Sequence, residues 1–78
     1  MNRMIKLHRV YRHFKGNSYI VEGLAEHTET GETMVVYRAL YGEGKVYVRP
    51  LEMFLSEVDH EKYPDIKQKY RLDRKSVV

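Results

Sequence analysis

Turn chemistry recurs along this chain at short intervals and leaves only short runs between for regular structure. Lys15-Gly16-Asn17, Thr28-Glu29-Thr30-Gly31-Glu32, Gly42-Glu43-Gly44 and Pro50 interrupt it with residues that accept positive φ or lack a backbone donor. The runs Val10–Phe14, Tyr19–His27, Thr33–Tyr41 and Lys45–Arg49 are rich in β-branched and aromatic residues, which suit a pleated surface. The spacing therefore predicts antiparallel strands joined by tight turns. Thr33–Tyr41 (TMVVYRALY) carries the strongest strand signal and is expected at the centre of the sheet. Gly23, in the middle of its run, predicts a bulge or a sharp bend.

Beyond Pro50 the pattern changes. Leu51-Glu52-Met53 reads as a single helical turn, with Phe54 and Leu55 returning apolar weight to the core, and Phe54–Val58 reads as a further short strand. Asp59–Lys67 is a charged linker whose Tyr63-Pro64-Asp65 predicts a turn. Ile66 and Tyr70 fit helical spacing, whereas Tyr70 and Leu72, set between Lys69, Arg71 and Asp73, fit a strand; we read a strand. The chain is thus expected to form one mostly-β domain over residues 1–78, with 1–8 a frayed lead-in, 9–73 the core and 74–78 a tail. An SH3-like barrel of about five strands with one short helical turn is the first expectation, because it leaves few unprotected edges. A small, strongly bent antiparallel sheet is the second. In either arrangement the first strand is expected near the last.

A chain of 78 residues without cysteine must be held by packing alone, in a core that buries only about 60–65% of the unfolded surface. The same absence removes thiolate metal ligands and a thiol nucleophile. The apolar runs fall far short of the roughly 20 residues that span a bilayer, and the N-terminus lacks the apolar stretch of a signal peptide. No membrane association is expected, and the reading is cytoplasmic.

The net charge of +3 conceals a segregation. Residues 1–15 carry Arg3, Lys6, Arg9, Arg12 and Lys15 and no acid, giving +5; residues 67–75 carry Lys67, Lys69, Arg71, Arg74 and Lys75 against Asp73, giving +4. The middle, with four basic and ten acidic residues, is left at −6. If the two ends meet, one face becomes strongly basic. The alternative is an evenly solvated surface with no charged partner.

Catalysis needs a nucleophile with its base, a carboxylate pair or a metal, and none of these is visible. His8, His13, His27 and His60 show no metal-ligand spacing, although His13 and His27 could approach across a sheet. Gly42-Glu43-Gly44 lacks the helix and the Lys-Ser/Thr of a phosphate-cradling loop. No cofactor and no enzymatic activity are expected.

A more coherent set is Tyr11, His13, Tyr37, Arg38, Tyr47 and Arg49. Tyr47 and Arg49 share one face by alternation, opposite Val46 and Val48, and Tyr37 lies on a neighbouring strand. If that face is open, it is an aromatic and cationic platform of the kind that holds single-stranded nucleic acid. The alternative is structural: the Tyr rings close the barrel, and Arg49 pairs with Glu52 or Glu57. Arg38, between Tyr37 and Ala39, is expected on the side of Val36 and Leu40, where a charge must snorkel, pair or bind. It either borders a pocket or marks a different register.

At Tyr11-Arg12-His13-Phe14-Lys15-Gly16, Tyr19 and Val21, Ala25 and His27, Thr30-Gly31-Glu32, Val35-Val36-Tyr37, Leu40-Tyr41-Gly42 and Val48-Arg49-Pro50-Leu51-Glu52-Met53-Phe54, the sequence resembles a family of short bacterial proteins, the domain of unknown function 1653. Tyr63-Pro64 and Gln68-Lys69-Tyr70-Arg71 extend the resemblance, which covers residues 10–72. It implies a bacterial, stand-alone, β-rich domain. Members of the family occur beside or fused to nucleotide-handling enzymes, which points towards nucleotide or nucleic-acid biology. Where the family usually has Trp before Val-Arg-Pro, this chain has Tyr47; a stacking role survives that exchange, and a role for the indole N–H does not.

The first functional expectation is accordingly a non-catalytic module for RNA or single-stranded DNA, favoured by the charge distribution. A protein-interaction module, with a groove lined by Tyr11, Tyr37, Tyr47 and Pro50, is the alternative. An accessory domain that binds a nucleotide through Arg38 and Arg49 is a third.

Overall fold

The computed structural model of the chain describes residues 4–74. Its elements are β1 (Val10–His13), β2 (Ser18–Glu26), β3 (Thr33–Ala39), β4 (Val46–Pro50), α1 (Leu51–Phe54) and β5 (Leu72–Arg74). They form one antiparallel sheet in the order β4-β3-β2-β1-β5, with β3 paired on both sides. The first strand pairs with the last, as expected, which brings the described residues 11–13 beside 72–74.

Local chemistry accounts for each join. Gly16 adopts φ +108°, which lets its N–H reach the His13 carbonyl at 2.8 Å while the His13 N–H donates to the Asn17 carbonyl at 2.7 Å. Within β2, Val21 stands opposite Tyr37 but Gly23 stands opposite Val36, so Glu22 is the extra residue of a bulge. That insertion puts Leu24 on the same side as Val21, although their spacing in a regular strand would set them on opposite faces.

One side of the sheet carries Tyr11, Val21, Val35 and Tyr37, and Leu72 and Phe54 close over it. Phe54 is fully buried and meets Tyr11 and Tyr37 edge-on, at centroid distances of 5.3 and 5.5 Å. Burying a side chain of this size contributes about 1.5–3 kcal/mol. Pro50 (φ −54°, ψ 137°) stops the β4 ladder and starts α1, and the i, i+3 spacing of Leu51 and Phe54 turns both towards the core.

The sheet is not closed, so the open bent sheet replaces the barrel as the reading of this fold. β4 and β5 are its two edges. α1 follows β4 directly and carries the chain off the ladder before β4 can reach β5. Residues 56–58 then meet 69–71 instead: Arg71 N–H donates to the Ser56 carbonyl at 2.9 Å, Val58 N–H donates to the Lys69 carbonyl at 2.8 Å, and Glu57 bridges Tyr70. The expected strand Phe54–Val58 is therefore reduced to one bridge, because Phe54 still belongs to the helix. The closing strand starts at Leu72 rather than Tyr70.

The lead-in is tied to the sheet. His8 N–H donates to the Val21 carbonyl at 2.7 Å, Lys6 N–H donates to the Tyr11 hydroxyl at 3.0 Å, and Ile5 packs on the core. Arg74, assigned to the tail, is instead the last residue of β5. Residues 1–3 and 75–78, with Arg3, Lys75 and the rest of the tail, lie outside the described residues. Among the described residues no helix is long and apolar enough to cross a membrane.

β4 presents its faces in an informative way. Tyr47 stands opposite Tyr37 and Arg49 opposite Val35, both core residues, so Tyr47 and Arg49 point to the core side. Val46 and Val48 take the outer side and are 49% and 61% exposed. The apolar face of this strand looks at solvent.

Candidate functional site

The six residues singled out in the sequence divide into three groups. Tyr11 and Tyr37 are 1% and 6% exposed, with their rings against Phe54, so neither offers a face for stacking or lines a groove. Arg38 does lie on the side of Val36, as expected, but that side is the outer one. Its Nε and Nη2 donate to Glu22 Oε2 at 3.3 and 3.2 Å, and its Nη1 donates to the Gly44 carbonyl at 3.2 Å. The bulge residue thus supplies the partner that the sequence left open. A pair this exposed contributes about 0–1 kcal/mol.

Tyr47, Arg49 and His13 form the third group, on the inner side. Tyr47 is 40% exposed and tilts against Tyr37 at 5.8 Å. It belongs to a run of rings leading outward from the core: Tyr37 meets Tyr19 at 5.2 Å, Tyr19 meets Tyr41 at 5.6 Å, and the Tyr19 and Tyr41 hydroxyls share a hydrogen bond of 2.9 Å. Burial, followed by that hydrogen bond, pushes the Tyr19 phenol up to about 12.

Arg49 acts electrostatically on His13, together with two residues that the sequence reading counted only as charges. Arg71 is anchored through its backbone, since Phe14 N–H donates to its carbonyl at 2.9 Å and its own N–H donates to Ser56. Lys15 N–H donates to His13 Nδ1 at 3.1 Å, which leaves the neutral imidazole with its proton on Nε2. Burial lowers the His13 pKa, and the charges of Arg49, Arg71 and Lys15 lower it further, so residues of the β1–β2 turn, β4 and the approach to β5 all act on His13. Arg49 Nη1 and Arg71 Nε are buried and donate to nothing. Among the described residues no carboxylate pairs with either guanidinium, Glu52 and Glu57 included.

Aromatic rings flank His13 and Lys15. His13 stacks on Phe14 at 4.5 Å, Phe14 meets Tyr63 at 5.0 Å, and Lys15 Nζ lies over both the Phe14 and Tyr63 rings at 5.8 and 5.5 Å. Sequence reasoning missed Phe14 and Tyr63, because nothing local joins residues so far apart in the chain. The Tyr63-Pro64 turn was the available signal, and it marked a bend without a partner.

His13 and His27 lie towards opposite ends of β2, so they do not approach each other. Among the described residues no group of three or more His, Cys, Asp or Glu could hold a metal.

The sequence profile of a family described as "Protein of unknown function (DUF1653)" matches residues 9–74. The fold is similar to the crystal structure of a protein belonging to DUF1653 from Bordetella bronchiseptica, at 33% sequence identity and a TM-score of 0.73, over 90% of this chain and 87% of that one. No match was found among curated proteins.

Proposed function

Because this chain belongs to the DUF1653 family, whose description assigns no activity, we propose a function from the site itself: a non-catalytic module that binds single-stranded nucleic acid, RNA or DNA, through Tyr47, Arg49, His13 and the basic segments joined by the β1–β5 pairing. The observation that carries this reading is the unbalanced positive charge around His13: Arg49 and Arg71 lack carboxylate partners and, with Lys15, act on a histidine that aromatic rings adjoin. Arg and Lys pair with phosphates, and bases stack on aromatic rings at about 1–3 kcal/mol each. A bacterial cytoplasm, where such strands are available, belongs to the same proposal.

The test is a titration of labelled protein, followed through amide shifts, with a mixed single-stranded RNA, the matching DNA and a nucleoside triphosphate, each at low and raised salt. Shifts at Tyr47, Arg49 and His13 that weaken with salt are expected, because released counterions drive phosphate binding. Shifts with the triphosphate alone would move the assignment to an accessory nucleotide-binding domain. A spectrum unchanged by all three ligands would end both readings and direct attention to a protein partner.

A further inference from the structure

We propose that the open edge of β4 takes up an extended peptide as a further strand of the sheet, and that the peptide it fits alternates acidic with apolar residues. This goes beyond the nucleic-acid reading, because the main chain of β4, and not a stacking ring, makes the principal contact.

In an antiparallel sheet each residue turns its N–H and its C=O to the same neighbour, and the direction alternates along the strand. Two hydrogen bonds fix the phase here. Leu40 N–H donates to the Ser18 carbonyl at 3.0 Å, on the β2 side, and Ala39 N–H donates to the Lys45 carbonyl at 2.9 Å, on the β4 side. With Tyr37 opposite Tyr47 and Val35 opposite Arg49, it follows that Lys45, Tyr47 and Arg49 direct their main-chain groups at β3, whereas Val46 and Val48 turn theirs away from it. No strand receives them, since β4 ends the sheet. The side chains of these valines are 49% and 61% exposed on the outer face. A strand laid antiparallel along this edge would satisfy both N–H and both C=O groups through the two residues it sets opposite Val46 and Val48.

Charge decides what that strand carries. Lys45 and Arg49 lie on either side of Tyr47 with the same alternation, towards the inner face, and β4 itself holds no acid. Glu43 stands 3.7 Å from Lys45, but both side chains are exposed and such a pair is weak; among the described residues Arg49 pairs with no carboxylate. Carboxylates opposite both cations, with apolar residues opposite Val46 and Val48, therefore complement the edge on its two faces. A second copy of this chain complements it less well. Two β4 strands paired through Val46 and Val48 set Lys45 of each against Arg49 of the other, and like charges directly opposite destabilise a pair. A register centred on Val48 avoids that clash but sets Val46 against Pro50, which has no N–H to donate.

The probe is a capped peptide, Glu-Val-Thr-Val-Glu, titrated at low salt into the labelled full chain; in antiparallel pairing its valines fall opposite Val48 and Val46. Amide shifts should be largest at Val46 and Val48, whose N–H groups gain acceptors. N-methylating both peptide valines should weaken binding by about tenfold or more, whereas N-methylating the glutamates and the threonine, whose N–H groups face away, should change it by less than about twofold. Lys in place of both peptide glutamates should weaken it about tenfold. Val48→Pro removes an N–H that the β3 ladder does not use, and should abolish the shifts in a protein whose spectrum stays dispersed. If that variant unfolds, the methylated peptides, which leave the protein unaltered, decide. No shift along β4 at millimolar peptide, or equal losses from the two methylation patterns, would overturn the inference. So would a sedimentation mass of two chains that Val48→Pro returns to one, which would give the edge to a second copy. No RNA enters this experiment, so its failure leaves the nucleic-acid reading as it stands, and peptide binding by a chain that ignores RNA would leave the edge site standing alone.

Discussion

Burial, and then the positive charges of Arg49, Arg71 and Lys15, hold the His13 imidazole below its ordinary 6.5. Between that lowered value and 6.5 the unfolded chain binds more protons than the folded one, so stability falls as the solution is acidified through this window. His13→Gln should flatten that dependence, read as urea midpoints across about pH 5 to 8. Unchanged curves would mean that His13 is not the titrating group. Tyr19 has the opposite sign. Its phenol is raised to about 12 by burial and by the hydrogen bond to Tyr41, so the stability it confers is present below pH 10 and is lost as pH rises through about 12. Tyr41→Phe removes the bond and should bring Tyr19 ionisation back towards 10, as followed by tyrosinate absorbance.

Two glycines do different work in their elements. Gly16 sits at φ +108°, where a Cβ is strained whatever space surrounds it, so Gly16→Ala should cost about 1–3 kcal/mol in urea unfolding. Gly23 marks the bulge, yet its φ lies outside that region and a Cβ built there meets nothing within 4 Å. Gly23→Ala should therefore change stability by less than about 0.5 kcal/mol. The bulge itself rests on pairing: the extra residue is Glu22, which holds Arg38, and Val21 and Leu24 are kept on one side. A large loss in Gly23→Ala would mean that the bend depends on glycine after all.

At the scale of the whole molecule, the order β4-β3-β2-β1-β5 sets β1 beside β5 and so brings segments from the two ends of the sequence together. It also sets Arg38 and Arg49 on opposite sides of the sheet, although the sequence grouped them. That separation makes a control. Arg38→Ala should leave RNA affinity unchanged, whereas Tyr47→Ala should lower it by roughly tenfold, within the range of one lost stacking contact. The slope of log affinity against log salt should be shallower for Arg49→Gln than for the parent chain, since one phosphate contact is gone. Equal losses from Arg38→Ala and Arg49→Gln would place the ligand on neither side in particular, and would favour diffuse charge attraction over a site.

The strands, their turns and the bulge at Gly23 were legible because each depends on neighbours along the chain: alternation, β-branched crowding and glycine's freedom act over a few residues. The sequence by itself determined a mostly-β domain with segregated charge and a helical turn after Pro50. The sequence left Tyr11 and Tyr37 open between a stacking face and a place in the core, and that choice, with the outward turn of Val46 and Val48, the Glu22–Arg38 pair and the meeting of Phe14 with Tyr63, was not legible. Each depends on register and on which face another element covers. A single inserted residue in β2 reassigns the faces, and α1 decides both what is covered and that the sheet stays open. Such choices come from contacts between residues distant in the chain, so only the tertiary structure could decide them.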